Sequence, residues 1–111
     1  MKEMTKRFLS DAFAGESQAH MKYLIFAEEA AKKGLPRLAN LFRAIAKAEY
    51  VHAKNHFVAL GHLGSMEQNL QAGIDGESFE IAEMYPVYLE AAKLQGEKEA
   101  VRSNHLSLIH I

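Results

Sequence analysis

Residue types that bind metal ions recur in this chain at helical spacing. Glu49 and His52 lie three positions apart, so on a helix their carboxylate and imidazole share one face and can reach the same ion. Three further glutamates, Glu16, Glu77 and Glu80, lie in other segments with helical patterning. A single Glu-x-x-His pair is a weak signal because short motifs match often by chance. Together with three more carboxylates, it indicates a metal site.

The segments that carry these residues are predicted to be long helices. Helix-forming residues are abundant and Pro36 and Pro86 are the two prolines, which favours an all-α chain. Gly34 predicts a helix end, Pro36 a first helical turn, and Ser65 with Gln68 a capping box. Short connections make neighbouring helices antiparallel, so we expect an up-down bundle. The predicted helices span about 2–33, 35–60 and 66–95, and a fourth begins near 97.

Each predicted helix carries a stripe of residues at alternating steps of three and four, the pattern that faces a bundle core. An ionised carboxylate withdrawn from water costs several kcal/mol unless a cation compensates it, and the neighbouring lysines fall on other faces. We therefore expect four glutamates to converge in a dry interior around a bound cation. The predicted inward residues are Leu9, Phe13, Glu16, His20, Tyr23, Ala27 and Ala30; Leu38, Phe42, Ile45, Glu49, His52, His56 and Ala59; and Leu70, Gly73, Glu77, Glu80, Met84, Val87, Ala91 and Leu94.

Mixed carboxylate and imidazole ligands suit iron or manganese. In bundle-core sites for two such ions, two helices each supply one Glu and the other two each supply a Glu-x-x-His. His20 and His56 share the predicted stripes. A core histidine that hydrogen-bonds a neighbour is the commoner case, so neither is predicted as a ligand.

An internal repeat supports the same interpretation, because two segments of the first helix recur 61 positions later in the third. They are Gly15-Glu16-Ser17 with Gly76-Glu77-Ser78, and Glu29-Ala30-Ala31-Lys32 with Glu90-Ala91-Ala92-Lys93. Duplication of a helix pair would explain the repeat, and it predicts a fourth helix equivalent to the second. The equivalent of Glu49 then falls at His110 or Ile111, and that of His52 falls past the last residue.

Composition restricts the remaining function classes. Thirteen Lys and Arg against 14 Asp and Glu give a net charge of −1, which does not favour nucleic acid or an anionic membrane as a partner. The sequence has no cysteine, so it forms no disulfide and no thiolate metal site. No apolar run approaches the roughly 20 residues of a membrane span, and the charged N-terminus does not read as a signal peptide. We therefore expect a cytoplasmic protein.

Three motifs surround the glutamates. They are Ala14-Gly15-Glu16-Ser17-Gln18-Ala19 with Tyr23; Ala48-Glu49-Tyr50-Val51-His52-Ala53; and Asn69-Leu70 with the segments 76–86 and 96–103. Together they resemble the rubrerythrin family, over about residues 3–103. From Asn104 the sequence departs from the family pattern and resembles translated adapter DNA. We therefore expect residues 1–103 to be a ferritin-like di-iron domain whose fourth helix is missing or reduced to its start from 97, and 104–111 to be a non-native tail.

The resemblance implies a function and a set of site residues. It implies two iron ions, with manganese as the alternative, and reduction of hydrogen peroxide to water in oxidative-stress defence. Electrons would come from an external donor such as a rubredoxin-like protein, because the sequence lacks the cysteines of a rubredoxin domain. The implied ligands are Glu16, Glu49, His52, Glu77 and Glu80, with Tyr23 and Tyr85 hydrogen-bonded to the ligand carboxylates.

The expected assembly is a homodimer, and exchange of helices between two chains is one route to it. Two alternatives remain open. Instead of a peroxidase, the chain is either an inactive helical fragment that associates with itself or a protein that binds or stores iron without turnover.

Overall fold

The computed structural model describes residues 1–110 and divides into two compact units, Met1–Leu63 and a second unit that begins at Gly64. Each unit is a helical hairpin, and residues 1–110 contain no strand, which confirms the all-α, ferritin-like class. Ile111, one of the two positions projected for the equivalent of Glu49, lies outside the described residues. None of the helices described through residue 110 is long and apolar enough to cross a membrane.

The first hairpin consists of α1 (Glu3–Lys32) and α2 (Pro36–Ala59). Gly34 adopts the left-handed conformation, with φ of 71°, and the Leu35 N–H donates to the Ala30 carbonyl at 2.9 Å. This bond satisfies a carbonyl that the end of α1 leaves free, and the left-handed residue reverses the chain. Pro36 then occupies the first turn of α2, where its missing N–H costs nothing. The predicted cap and restart are confirmed.

A line of small side chains forms the contact between α1 and α2. Ala27 and Ala30 of α1 are buried, and so are the α2 residues Ala39, Ala46 and Ala53, at spacings of seven. That spacing keeps one face of α2 on α1 along its length, and alanine lets the two backbones approach closely. Aromatic pairs flank the line: Phe13 with Phe57, whose ring centroids are 5.4 Å apart, and Phe26 with Phe42 at 5.5 Å.

The predicted inward stripe is confirmed for α1, where all seven residues are at least half-buried. In α2 the prediction is wrong at three positions, since Leu38, His52 and Ala59 are exposed. The buried face is rotated toward the alanine line. The predicted stripe followed helical spacing alone, and spacing does not decide which of two adjacent rows of side chains meets the partner helix. The close approach of the two helices selects the small residues instead.

The second hairpin begins with the predicted capping box. The Ser65 hydroxyl accepts from the Gln68 N–H, and the Gln68 side chain accepts from the Ser65 N–H. The single helix predicted over 66–95 is divided into α3 (Met66–Phe79), a π-helical turn (Glu80–Met84) and α4 (Tyr85–Gln95). After Gly96, α5 runs over Lys98–Ile109, where the fourth helix was predicted to start. It includes much of the segment predicted to be non-native, whose origin stays a prediction.

The π-helical turn lies directly before Pro86. In this turn the Tyr85 N–H donates to the Glu80 carbonyl, five residues back instead of four. In an ordinary helix the ring of Pro86 would clash with the carbonyl of Ala82, four residues earlier, and would leave that carbonyl without its bond. A wider turn moves this carbonyl away from the ring. The helix therefore continues through Pro86 instead of ending at Tyr85.

The predicted inward stripe of α3 and α4 is wrong for most of its residues. Leu70, Val87 and Leu94 are 67, 63 and 89% exposed, and Glu77 is exposed too. Within this hairpin α5 has 12 residues, about 18 Å of helix, and it packs on α4. Because α5 is short, most of α3 lacks a partner helix inside its own hairpin, and its apolar face stays uncovered.

Candidate metal centre

The first hairpin brings three predicted ligands together. Glu16 extends from α1, and Glu49 and His52 extend from successive turns of α2. One ligand atom of each lies within 4.8 Å of the others. Glu16 and Glu49 are half-buried, whereas His52 is exposed. Two carboxylates and one imidazole at this separation can share one ion, so within this hairpin the residues converge as predicted.

The Glu16 carboxylate lies between two imidazoles of α2. Its Oε1 is 3.6 Å from His52 Nδ1, and its Oε2 is 3.2 Å from His56 Nε2. Oε2 is buried, yet it forms no hydrogen bond with the described residues, although His56 Nε2 lies 3.2 Å away. A buried polar atom without a partner costs about 1–3 kcal/mol. A cation between these groups would satisfy it, so this hairpin fits a metal ion.

No lysine or arginine among residues 1–110 forms an ion pair with Glu16 or Glu49. Where lysines form such pairs, the partners are exposed glutamates on the same helix, as with Lys32 and Glu28 at 3.6 Å. The two carboxylates keep their charge available for a bound cation.

The two histidines of the predicted stripes differ in role. His20 Nδ1 donates to the Ala46 carbonyl at 2.7 Å, the structural hydrogen bond that was expected. His56 instead contacts Glu16, with its Nε2 3.2 Å from the carboxylate, a contact that was not predicted although its inward position was. The available signal was its position four residues after His52, since side chains at that spacing lie on the same helical face.

Glu77 and Glu80 belong to the second hairpin and lie one turn apart. Partial burial, repulsion from the Glu77 carboxylate and a hydrogen bond with it together raise the pKa of Glu80 above its usual value. The expectation of a dry environment is wrong for Glu77, which is exposed, while Glu80 is half-buried. Their role as metal ligands stays a prediction.

Tyr23 and Tyr85, which were predicted to hydrogen-bond the ligand carboxylates, lie in aromatic clusters. The Tyr23 ring packs against Phe26 and Phe42, with centroids 6.0 and 6.1 Å away. Tyr85 meets Tyr88 edge-on at 6.4 Å, within the second hairpin. Both rings are half-buried, which restricts their orientation. Hydrogen bonding of their hydroxyl groups to ligand carboxylates stays a prediction.

Comparison with known proteins shows which family carries this glutamate and histidine cluster. The family model described as Rubrerythrin matches residues 7–105, nearly the whole chain. The chain belongs to the rubrerythrin family. All five predicted ligands, Glu16, Glu49, His52, Glu77 and Glu80, fall inside the matched region.

Three rubrerythrin-family relatives show how far the similarity extends. Rubrerythrin-2 of Clostridium acetobutylicum is 49% identical over 95% of this chain and 65% of its own length. Rubrerythrin of Porphyromonas gingivalis is 38% identical over 86% of this chain and 54% of its own length. Nigerythrin of Nitratidesulfovibrio vulgaris is 33% identical over 84% of this chain and 53% of its own length. The chain therefore spans between about half and two thirds of the length of these relatives.

Proposed function

We propose that this chain is the metal-binding part of a rubrerythrin-type non-haem di-iron peroxidase. The observation that carries the proposal is the cluster of Glu16, Glu49 and His52 in the first hairpin. Membership of the rubrerythrin family supports iron as the metal and hydrogen peroxide as the substrate. The mixed carboxylate and imidazole ligands keep manganese as the alternative. On the ground of the resemblance alone, Glu77 and Glu80 complete the proposed ligand set.

The proposed reaction joins one hydrogen peroxide, two electrons and two protons to give two waters. An iron pair, if held by these residues, would supply the two electrons and a Lewis-acid site for the peroxide. An external redox partner, such as a rubredoxin-like protein, then returns both electrons. The reaction would serve defence against oxidative stress.

The residues of the first hairpin hold and orient the metal in this proposal. Glu16 and Glu49 contribute two negative charges that offset the charge of a divalent ion. His52 lies one turn from Glu49 on α2, so one helix presents both groups in a fixed relation. The hydrogen bond between His20 and the Ala46 carbonyl ties α1 to α2 near this cluster. That bond keeps Glu16 in register with the α2 ligands.

Iron loading combined with peroxide turnover tests this proposal. The chain is loaded with Fe(II) without oxygen, and the iron per chain and the rate of peroxide loss are measured on the same sample. The expected result is bound iron together with peroxide reduction when a reductant is supplied. Less than about 0.2 iron per chain with no turnover would contradict it, because the ligand count would not be met.

Self-association without metal is the second candidate. Large apolar side chains are exposed on both hairpins, among them Phe8 at 61% and Met66 at 76%. Exposed apolar patches of this kind tend to be covered by a partner. A homodimer, with or without exchanged helices, is therefore proposed for either function. Light scattering on metal-free and iron-loaded samples distinguishes the two: a dimer that holds no iron supports self-association alone.

A further inference from the structure

A groove between α1 and α2 of the first hairpin contains a cavity of about 450 Å³. Its α1 wall extends from Phe13 to Met21 and its α2 wall from Tyr50 to Val58, which is about 12 Å along each helix. The volume falls in the range of pockets that bind small molecules, roughly 300–1,000 Å³. None of the five predicted metal ligands lines the groove, so it is separate from the site of the proposed function.

One end of the groove is apolar. Phe13 and Phe57, whose ring centroids are 5.4 Å apart, line this end together with Val58 and Leu63. Val58 and Leu63 are 48 and 53% exposed, so they leave apolar surface in contact with water. An apolar ligand group that covered this surface would gain free energy from the water it displaces.

The other end of the groove carries polar groups. His20 and Tyr50, whose ring centroids are 6.0 Å apart, line this end, and Ser17 and Lys54 lie between the two ends. His20 Nδ1 donates to the Ala46 carbonyl, so Nε2 is the ring nitrogen left for a ligand. The lining residues include one lysine and no aspartate or glutamate, which gives the groove a positive charge.

Lys54 supplies that charge. Its side chain is exposed, and within residues 1–110 it forms no ion pair with a carboxylate. A carboxylate head group would complement the ammonium group, whereas a cationic head group would be repelled. Because an exposed ion pair contributes little by itself, the apolar part of a ligand must supply most of the binding free energy.

We propose that this groove binds an unbranched, medium-chain alkyl carboxylate. The alkyl chain lies along the groove against Phe13 and Phe57, and the carboxylate lies at Lys54. The groove is narrow because the axes of two packed helices are about 8–10 Å apart, and this shape suits a single chain better than a fused ring system. The inference goes beyond the proposed function, since it involves no metal ligand and no peroxide chemistry.

Calorimetry on the metal-free chain tests the site with a series of carboxylates. Acetate, hexanoate, octanoate and decanoate are compared at concentrations where none of them forms micelles. We expect one ligand per chain, no binding of acetate, and affinity that rises about fourfold for each added methylene until the groove is filled. Affinity that does not depend on chain length, or no binding of decanoate, would overturn the proposal.

The Lys54→Gln substitution tests the position of the carboxylate. Decanoate should bind about two- to fivefold more weakly to this variant, and the difference should disappear at high salt, as for an exposed ion pair. Lys22→Gln is the matched control, because Lys22 is an exposed lysine of α1 that lies over the Tyr23 ring and does not line the groove. Equal affinity of the two variants would contradict a carboxylate at Lys54.

The ¹³C-methyl resonances of the methionines locate the ligand without any substitution. Met21 lines the groove, whereas Met4 and Met66 do not and are 68 and 76% exposed. Decanoate should shift the Met21 signal and leave the other two unchanged. Equal shifts of all three would indicate adsorption to exposed apolar surface and would overturn the proposal. A Met21 signal that changes with chain concentration but not with decanoate would show a second copy in the groove, which also contradicts it.

Discussion

Gly34 and Gly96 lie 62 positions apart and end the first long helical run of each hairpin in the same left-handed conformation, with φ of 71° and 69°. The hydrogen bonds around them correspond one for one. The Leu35 N–H donates to the Ala30 carbonyl in the first hairpin, and the Glu97 N–H donates to the Ala92 carbonyl in the second. Ala30 and Ala92, again 62 positions apart, are both buried.

The number of positions between equivalent residues of the two hairpins therefore changes along the chain. Glu16 and Glu77 are 61 positions apart, whereas Tyr23 and Tyr85 are 62 apart. One extra residue lies between the glutamate and the tyrosine of the second hairpin, and the π-helical turn at Glu80–Met84 occupies that interval. A π-helical turn accommodates one additional residue without ending a helix. The sequence match between 29–32 and 90–93 uses an offset of 61 positions. The structural equivalents in this part of the hairpins are 62 positions apart, so that match is shifted by one residue.

Deletion of Ala82 tests this relation between the extra residue and Pro86. Without the extra residue the π-helical turn should become ordinary α-helix, and Pro86 should meet the clash that the wide turn avoids. We expect a loss of about 3 kcal/mol in the free energy of unfolding, the usual cost of proline inside a helix. Urea denaturation of the metal-free chain measures it.

The matched control for that deletion combines it with Pro86→Ala. Because the clash is then removed, the double change should recover most of the lost stability. The deletion also rotates Glu80 by about 100° relative to α4, the angle of one helical residue. If the deletion is equally destabilising with and without Pro86, the wide turn does not serve to accommodate the proline.

Several features of the fold and the cluster could be predicted from the sequence because they depend on local patterns. The α1 stripe and the convergence of Glu16 with Glu49 and His52 follow from helical spacing and a short connection at Gly34. The register of α2 could not be predicted in the same way, because Ala39, Ala46 and Ala53 are selected by the close approach of two helices. Hydrophobic patterning alone gives small residues little weight.

The π-helical turn and the exposed face of α3 were missed for different reasons. A proline inside a helical pattern usually marks a kink, and the change from 61 to 62 positions between Tyr23 and Tyr85 was present in the sequence. Its meaning depends on a backbone geometry that residue patterns rarely reveal. The inward stripe of α3 presumed a partner helix of matching length, but α5 has 12 residues. A stripe predicts which face can be buried, not what buries it.

Replacement of Glu49 by Gln tests the metal centre with little change in volume. The substitution removes a charge from the cluster, so we expect iron per chain after Fe(II) loading to fall to a tenth or less, on the order of the loss seen when metal-site groups are altered. Glu28→Gln is the control, because Glu28 is an exposed α1 glutamate paired with Lys32. Equal iron content of Glu49→Gln and the unaltered chain would place the metal elsewhere.

Enlargement of the alanine line tests how closely α1 and α2 must approach. Ala46 is 0% exposed, and its carbonyl accepts from His20, so Ala46→Leu should separate the helices. We expect a loss of about 1–3 kcal/mol in the free energy of unfolding. Ala44→Leu is the control on the exposed face of α2 and should change stability by less than about 0.5 kcal/mol. Thermal and urea unfolding both report the difference.

The raised pKa of Glu80 predicts a pH dependence of stability in the metal-free chain. Partial burial and the Glu77 carboxylate favour the protonated form in the folded state, so the folded chain holds this proton more tightly than the unfolded chain does. The contribution of Glu80 to stability is therefore fully present below the ordinary pKa of 4.5 and is lost as the pH rises through the raised pKa. Glu80→Gln stays neutral throughout and escapes this loss.

The measurement for Glu80 is urea unfolding between about pH 4 and 7, a range that begins below its ordinary pKa. The stability of Glu80→Gln relative to the unaltered chain should increase as the pH rises and then level off. Glu83→Gln is the control, because Glu83 is an exposed carboxylate of the same π-helical turn. A difference between Glu80→Gln and the unaltered chain that stays constant with pH would show that Glu80 does not hold its proton more tightly in the folded state.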